Sequence, residues 1–368
     1  MKRLVVAVVL SLFFTPSAMA GALIEESIKL PATFEGLFGP DTVNLDALVI
    51  RPNDGERHPL AVINHGTPRD YADQKKISPQ NFLAQTREFA RRGWVAVFFT
   101  RRGYGKSEGS YSEANGPCGS PDYEPAGRIS TEDIREVIRL MKEKPYVDGS
   151  RIISVGRSTG GFATVALTTD PPPGLVAAIS FAGGRGSSGP DSVCHPDVLV
   201  KAMASYGKTS RIPMLWVYAE NDHYFGPSVA HQMYAAFTEA GGKAKFVAAP
   251  AFGADGHHLF SIGGIPIWTP YVDAFLEEQN LKLMDQPLSI DDLTVPFPKG
   301  LSESGRMVFL DYLEATGHKA FAMSDDGHFG WRSGRDSVED AVEEATERCK
   351  QKSDRLCQPV MIDDKVVP

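Results

Sequence analysis

One serine in this sequence has neighbours typical of a catalytic nucleophile. In the stretch "RIISVGRSTGGFATVAL" (151–167), a run of β-branched residues ends at Gly156 and a helix-compatible segment follows. The pattern G-x-S-x-G predicts that Ser158 lies on a sharp, strained strand-to-helix turn, because glycines at 156 and 160 remove β-carbons that would strike the neighbouring strand or helix. The positive end of the helix dipole would favour negative charge at this serine.

The same pattern occurs a second time at residues 105–109. The segment after it is rich in turn residues and provides no helix to receive Ser107. A phosphate-binding loop is excluded as well, because Thr100 stands where that loop needs glycine. We interpret residues 103–109 as a loop that shapes the site from the side, and we expect Tyr104 to contact substrate.

An acid and a base follow later in the chain. "IPMLWVYAENDHYF" (212–225) ends a buried strand near Asp222, with Glu220 as the rival acid, and "AKFVAAPAFGADGHHLF" (244–260) carries His257 beyond another strand. Serine is a poor nucleophile at neutral pH, so an imidazole must remove its proton, and a carboxylate must hold that imidazole in the correct tautomer. The sequence therefore predicts a triad of Ser158, Asp222 and His257.

Two other histidines compete for the role of base. We favour His257 because Asp255 and Gly256 can form a tight turn that presents it. The adjacent His258 runs into apolar residues, and we expect it to face inward. His328 occurs in a look-alike segment, "DDGHFGW" (325–331), and we expect it to have no catalytic role.

A tetrahedral oxyanion needs two hydrogen-bond donors. The backbone N–H of Thr159, directly after the nucleophile, is one candidate. The other is the N–H of Thr67, in the turn that follows the early strand "LAVIN". We interpret His65 as a structural residue of that turn and expect His223 to contact substrate.

These residues can meet only if the strands that precede them end at the same edge of a sheet. Short apolar runs alternate with amphipathic stretches such as Ser130–Glu143 and Ser228–Ala240, which predicts an α/β fold with a mostly parallel sheet and helices on both faces. The predicted strands cover residues 43–51, 60–64, 95–100, 152–156, 177–182, 214–219 and 244–249.

The chain divides into four predicted parts. Residues 1–20 are predicted to be a signal peptide, residues 21–285 the catalytic domain, residues 286–300 a proline-containing linker, and residues 301–368 a small C-terminal α+β module. For the module we expect two short strands, an amphipathic helix near Asp336 to Gln351 and a closing strand. We expect it to have a binding or packing role.

The net charge and the apolar segments of the chain limit the kinds of partner that we expect. Lys2 and Arg3 precede an apolar run, Leu4 to Phe14, that is too short for a membrane span, and no later run approaches twenty apolar residues. We therefore expect an exported protein without a membrane span. Its formal charge of −8 becomes −10 when those two cations are removed, which argues against nucleic-acid and anionic-membrane partners.

The four cysteines suit an oxidising compartment. Three pairings are possible, and we favour Cys118–Cys194 and Cys349–Cys357 because each pair lies within one predicted domain. None of the cysteines has the C-x-x-C spacing of a zinc site, and no cofactor is expected.

From about Val43 to Asn280, the chain resembles the α/β-hydrolase superfamily, in particular its dienelactone-hydrolase-like and prolyl-oligopeptidase-like branch. The resemblance rests on five segments: "NHGTP" (64–68), "RRGYGKSEG" (101–109), "GRSTGG" (156–161), "AENDHYF" (219–225) and "DGHHLF" (255–260). The order serine, aspartate, histidine is also the one found in that superfamily.

The resemblance implies a serine hydrolase acting on a small-molecule ester. Dienelactone hydrolases use a cysteine nucleophile, so Ser158 departs from them and lactone specificity is not implied. Prolyl-oligopeptidase-type enzymes usually carry a large N-terminal propeller, whereas only about twenty mature residues precede the first predicted strand here. A carboxylesterase is thus favoured over a peptidase or amidase, and over a non-catalytic binding protein that keeps the fold. The sequence predicts no oligomeric state.

Overall fold

A computed structural model describes residues 22–36, 39–290, 297–315, 317–363 and 365–367. The predicted signal peptide lies outside the described residues, as does the central part of the predicted linker, 291–296.

Within the described residues, the strands form one large sheet, one small sheet and a short hairpin. In chain order they are β1 (Leu23–Gly36), β2 (Gly39–Pro52), β3 (His58–Asn64), β4 (Val95–Phe99), β5 (Val147–Arg157), β6 (Leu175–Phe181), β7 (Ser187–Gly189), β8 (Ser192–Val193), β9 (Met214–Ala219), β10 (Ala244–Ala249), β11 (His318–Ser324), β12 (Phe329–Arg335), β13 (Cys357–Ile362) and β14 (Lys365–Val366).

The large sheet has eight strands in the order β1-β2-β4-β3-β5-β6-β9-β10. From β4 to β10 the neighbours are parallel, while β1 and β2 pair antiparallel with each other, and β2 pairs antiparallel with β4. Strands buried on both faces read as continuous apolar runs, as the fully buried "VAVFF" of β4 does.

Helices cover both faces of this sheet. They are α1 (Tyr71–Gln74), α2 (Leu83–Ala90), α3 (Tyr123–Lys142), α4 (Thr159–Leu167), α5 (Pro196–Gly207), α6 (Pro227–Glu239), α7 (Ile265–Glu278), α8 (Glu303–Glu314) and α9 (Val338–Lys350), with 3-10 turns at Pro79–Phe82 and Gly256–His258. Apolar side chains of α2 and α7 pack on one face, and those of α3 to α6 pack on the other. The predicted mostly parallel α/β sheet is confirmed.

The strand β1 is a difference from the sequence prediction, which placed the first strand at Val43. β1 lies at the edge of the sheet and pairs along its whole length with β2. Its sequence, "LIEESIKLPATFEG", carries charges and Pro31, as exposed edge strands commonly do. It therefore lacks the apolar run by which buried strands are recognised.

The C-terminal residues build a separate four-stranded sheet in the order β12-β11-β13-β14. Helix α9 packs on it through Ala341, Ala345 and Cys349, which agrees with the predicted amphipathic helix. Helix α8, which the sequence analysis did not predict, packs on the sheet through Phe309 and Tyr312.

Both disulfides have the pairing favoured from the sequence, Cys118–Cys194 and Cys349–Cys357. They indicate an oxidising compartment. In the part of the chain that the structure describes, no helix is both long enough and apolar enough to cross a membrane.

Candidate active site

Ser158 lies between the end of β5 and the start of α4, with φ 58° and ψ −124°. Such a conformation costs a non-glycine residue about 1–3 kcal/mol and persists only where packing holds it. A β-carbon on Gly156 would lie 2.2 Å from the carbonyl oxygen of Gly160, and one on Gly160 would lie 2.4 Å from the carbonyl oxygen of His65. The close approach of these segments therefore requires both glycines of the motif.

The backbone around Ser158 is hydrogen-bonded, but its hydroxyl is not. The Ser158 N–H donates to the Phe181 carbonyl, and its own carbonyl accepts from the N–H groups of Phe162 and Gly184. Among the described residues, Ser158 Oγ has no hydrogen-bond partner. The side chain is 5% exposed and lines two cavities.

The candidate acid and base meet directly. His257 Nδ1 lies 3.2 Å from both carboxylate oxygens of Asp222, and Asp222 also accepts the N–H groups of Tyr224 at 2.7 Å and Phe225 at 2.8 Å. Burial alone would raise the pKa of Asp222, but His257 and these two donors outweigh it and lower the pKa below its usual value. Asp222 therefore stays ionised and holds the proton of His257 on Nδ1. The rival Glu220 is exposed.

The turn that presents His257 is built by Asp255. Its carboxylate accepts the N–H of His257 at 3.0 Å and that of His223 at 2.9 Å, which caps the 3-10 turn Gly256–His258. His257 lines the first of the two cavities and is 4% exposed.

We expected His258 to face inward, but its side chain lines the same cavity as His257. The reason is the 3-10 turn, in which adjacent side chains diverge by about 120° rather than pointing to opposite sides as in an extended loop. Burial, assisted by the Arg157 cation, lowers the pKa of His258 to about 3, so this imidazole is neutral. No carboxylate contacts it among the described residues.

The ring of Tyr224 stacks on the imidazole of His257. Their centroids are 3.8 Å apart and the planes differ by 11°. On the same tyrosine ring lies the guanidinium of Arg69, 3.4 Å from the centroid. Tyr224 lines both cavities.

The two candidate oxyanion donors lie next to each other. Thr67 Oγ1 is 2.8 Å from Thr159 Oγ1, and both residues line the second cavity. Neither backbone N–H has an acceptor among the described residues. His65 shapes this turn: its Nδ1–H donates to the Gly66 carbonyl at 2.7 Å, and its Nε2 accepts the N–H of Arg101 at 3.0 Å. Burial and the Arg101 cation lower the pKa of His65 well below its usual value, which keeps the imidazole neutral.

Two substrate-contact expectations need correction. Tyr104 is fully buried behind Thr67, to whose Oγ1 its hydroxyl is bonded at 2.6 Å, and it lines neither cavity at Ser158. His223 pairs with Asp191 at 2.9 Å and also lines neither cavity. The next residue, Tyr224, is the one that faces the site.

The second G-x-S-x-G segment is structural. Ser107 Oγ accepts the N–H of Asp46 at 2.8 Å and donates to the Thr100 carbonyl at 2.6 Å. These bonds tie the loop to β2 and to the end of β4, so the serine is committed to the scaffold.

Comparison with known proteins agrees with this geometry. A family profile described as X-Pro dipeptidyl-peptidase (S15 family) matches residues 41–195, which include the turn at Thr67 and the nucleophile turn at Ser158. The sheet order, the strained serine between β5 and α4, and the aspartate after β9 are those of one fold superfamily. This chain has the α/β-hydrolase fold.

Several solved structures are similar to part of this chain. An esterase from Pyrococcus furiosus is 14% identical, with 69% of this chain and 90% of that chain covered and a TM-score of 0.47. A dienelactone hydrolase from Klebsiella pneumoniae, described as putative, is 17% identical, with 70% and 99% covered and a TM-score of 0.46. The acylaminoacyl peptidase of Pyrococcus horikoshii is 18% identical, with 73% and 43% covered and a TM-score of 0.47. Among curated protein sequences, none matches this chain significantly.

Two cavities of the protein meet at Ser158. The first, of about 180 Å³, contains His257, His258, Phe82 and Ile77 in its wall. The second, of about 300 Å³, contains neither histidine and has a polar wall. The sequence analysis missed most of the wall residues, among them Arg69, Gln74, Ala315, Arg157 and Arg185. Their positions are scattered along the chain, so no motif could have identified them.

The C-terminal part of the chain contributes to the first cavity through Ala315. Lys76 Nζ donates to the Gly334 carbonyl at 2.7 Å across the same boundary. Burial and the nearby Asp255 carboxylate raise the pKa of Asp311 in α8, which places this helix beside the His257 turn. The domain boundaries themselves stay a prediction, but the module forms part of the site wall.

Proposed function

We propose that this protein is an exported serine hydrolase that cleaves carboxylic esters through an acyl-enzyme on Ser158. The observation that supports it is the strained Ser158 turn, which lines one cavity together with the imidazole of a His257–Asp222 pair. A nucleophile, a base and an acid that orients the base are the three groups that acyl transfer requires.

In the proposed reaction, His257 Nε2 takes the proton of Ser158 as Oγ attacks the ester carbonyl. Asp222 holds the other ring proton on Nδ1 and stabilises the imidazolium. The N–H groups of Thr67 and Thr159 stabilise the oxyanion. His257 then protonates the departing alkoxide, and a water molecule, activated by the same imidazole, releases the acid. The Ser158–His257 hydrogen bond forms when substrate is bound, as such bonds commonly tighten in the Michaelis complex.

The test is hydrolysis of 4-nitrophenyl butyrate together with labelling by a fluorophosphonate probe. The wild-type protein should do both, and Ser158→Ala should do neither, with a loss of about 10³-fold or more in kcat. Ser188→Ala, an exposed serine of the neighbouring β7 hairpin, is the matched control and should behave like wild type. Labelling that persists in Ser158→Ala, or a wild-type protein that neither labels nor turns over, contradicts the proposal.

Peptide substrates are the second candidate, favoured by the family match over residues 41–195. The measurement is release of 4-nitroaniline from Xaa-Pro-4-nitroanilides. Turnover of these amides with kcat/KM above that of the ester would make the protein a peptidase, while the same triad would still carry the reaction.

Export is supported by the two disulfides. The mature protein recovered from outside the cytosol should begin at Gly21, as shown by intact mass. A mass that retains Met1 to Ala20 contradicts the predicted cleavage.

A further inference from the structure

The second cavity at Ser158 has a polar and cationic wall. Arg69 and Arg185 both line it, and none of its lining residues is an aspartate or a glutamate. The remaining wall includes Gln74, Tyr111 and Asn115, together with the Cys118–Cys194 disulfide. Such a surface suits a ligand that carries negative charge.

Two buried arginines beside this wall share one carboxylate. Arg185, 2% exposed, and Arg101 both bind Glu113, each with an N–O distance of 2.9 Å. The neighbouring Arg102 has carboxylates of its own, Asp133 and Glu132, each at 2.7 Å. Two buried guanidinium groups therefore share one anion, and a buried charge without a partner is costly.

Several polar atoms of the wall lack partners. Arg185 Nε and Gln74 Oε1 are buried without a hydrogen bond among the described residues, and the Gln74 side chain is 6% exposed. Since buried polar groups are normally satisfied, these two atoms make the wall more favourable for a polar ligand than for an apolar one. Arg69 itself is exposed. Its Nε and Nη2 donate to Ser187 Oγ and to the carbonyls of Gly189 and His223, while its Nη1 has no partner in the described chain and can donate to a ligand.

The position of the histidines decides which half of an ester this cavity receives. The leaving alkoxide must be near the imidazole that protonates it. His257 lines the first cavity and does not line the second. The acyl chain then extends into the second cavity, past Thr67 and Thr159.

We infer that the second cavity binds an acyl group that carries a carboxylate, with Arg69 as its direct partner, so that half-esters of dicarboxylic acids are the preferred substrate class. This inference rests on the proposed ester hydrolysis at Ser158. A guanidinium donates to a carboxylate through charge-assisted bonds that a neutral chain cannot accept.

The experiment compares two esters of equal chain length, the mono-4-nitrophenyl ester of adipic acid and 4-nitrophenyl hexanoate. Wild-type kcat/KM should be about 10-fold or more higher for the adipate half-ester. Arg69→Gln should lower kcat/KM for the adipate half-ester more than for the hexanoate, so that the two values become about equal. The matched control is Arg135→Gln, which removes an arginine of α3 that pairs with Asp170 and lines neither cavity. This variant should keep the preference.

A third ester, 3-carboxyphenyl hexanoate, places the carboxylate on the leaving group and should gain no advantage over phenyl hexanoate. Equal rates for adipate and hexanoate esters in the wild-type protein overturn the inference while leaving the esterase function intact. An advantage for the leaving-group carboxylate, or an adipate preference that survives in Arg69→Gln, also overturns it. If no ester is hydrolysed at all, it is the proposed function that fails.

Discussion

Two turns of this protein share the sequence Asp-Gly-His, and they differ in almost everything else. The first, at residues 255–257, follows β10 at the edge of the large sheet. The second, at residues 326–328, joins β11 and β12 in the C-terminal sheet. In both turns an aspartate bonds to groups of the turn itself.

The histidines of the two turns have different surroundings. His257 is almost completely buried and faces Asp222, a carboxylate 35 positions away in the sequence. His328 is half exposed and pairs with the aspartate of its own turn, Asp326, at 3.1 Å. It lines neither cavity at Ser158. A local turn is therefore enough to present a histidine. The histidine becomes a candidate base only when a carboxylate remote in the sequence contacts it and the nucleophile lines the same cavity.

The largest loss of activity is expected from a substitution in the first turn. His257→Ala should lower kcat on 4-nitrophenyl butyrate by about 10³-fold or more, because no other described imidazole both contacts a carboxylate and lines the cavity with Ser158. Steady-state kinetics give the answer, with circular dichroism as the check that the variant is folded. If this variant keeps its activity and His258→Ala does not, the assignment of the base is wrong.

A smaller effect is expected from Asp255, which holds the turn. Asp255→Ala removes the acceptor for the N–H groups of His257 and His223 and should lower kcat about 10-fold with little change in KM, because the base is misplaced rather than absent. Asp255→Asn keeps an acceptor oxygen and should restore most of the activity. Asp326→Ala makes the equivalent change in the second turn and should leave kcat unchanged. A full loss of activity in Asp255→Asn would show that its charge, not its capping bond, matters.

His258 should affect how the stability of the protein depends on pH. Its pKa is about 3 in the folded protein because of burial, against about 6.5 in an unfolded chain. Between these values the unfolded state binds the extra proton, so this residue makes the free energy of unfolding fall as the pH falls from about 6.5 towards 3. Denaturant unfolding at several pH values should therefore show that the free energy of unfolding falls less steeply with falling pH in His258→Gln than in wild type. Equal slopes would mean that His258 is protonated in the folded protein.

The smallest effect is expected in the second turn. His328→Ala should leave esterase kcat/KM within about 2-fold of wild type, because its side chain contacts its own turn and not the cavity. The same kinetic assay measures it. A large loss would show that the C-terminal sheet supplies chemistry to the site and not only the wall at Ala315.

The parts of the site that the sequence predicted are those that local geometry dictates. Gly156 and Gly160 are needed because any β-carbon there would overlap the backbone, so their spacing around Ser158 is a reliable signal. Asp222 and His257 follow strands whose carboxyl ends meet at one sheet edge, and that topology could be predicted from the alternation of strands and helices. The edge strand β1 and helix α8 were missed because edge and surface elements show no continuous apolar run.

The roles that could not be predicted depend on which side of a loop faces the cavity. Tyr104 and His223 look like pocket residues in the sequence, yet one is enclosed behind Thr67 and the other turns toward Asp191. Tyr224, between His223 and Phe225, faces the site instead. A loop has no fixed period, so the direction of each side chain is set by its tertiary contacts.

The sequence by itself determined the fold and the nucleophile turn, because these depend on the order of strands and on residue types at short spacing. The favoured cysteine pairing came from the division into domains, since Cys118 and Cys194 are 76 positions apart. Only the tertiary structure decided that Arg69 and Arg185 share one cavity with Ser158 and that Ala315 closes the other. These residues lie far apart in the chain, and a cavity is a property of the surfaces that packing brings together. The buried charge that Arg101 and Arg185 share with Glu113 became visible only when that packing was known.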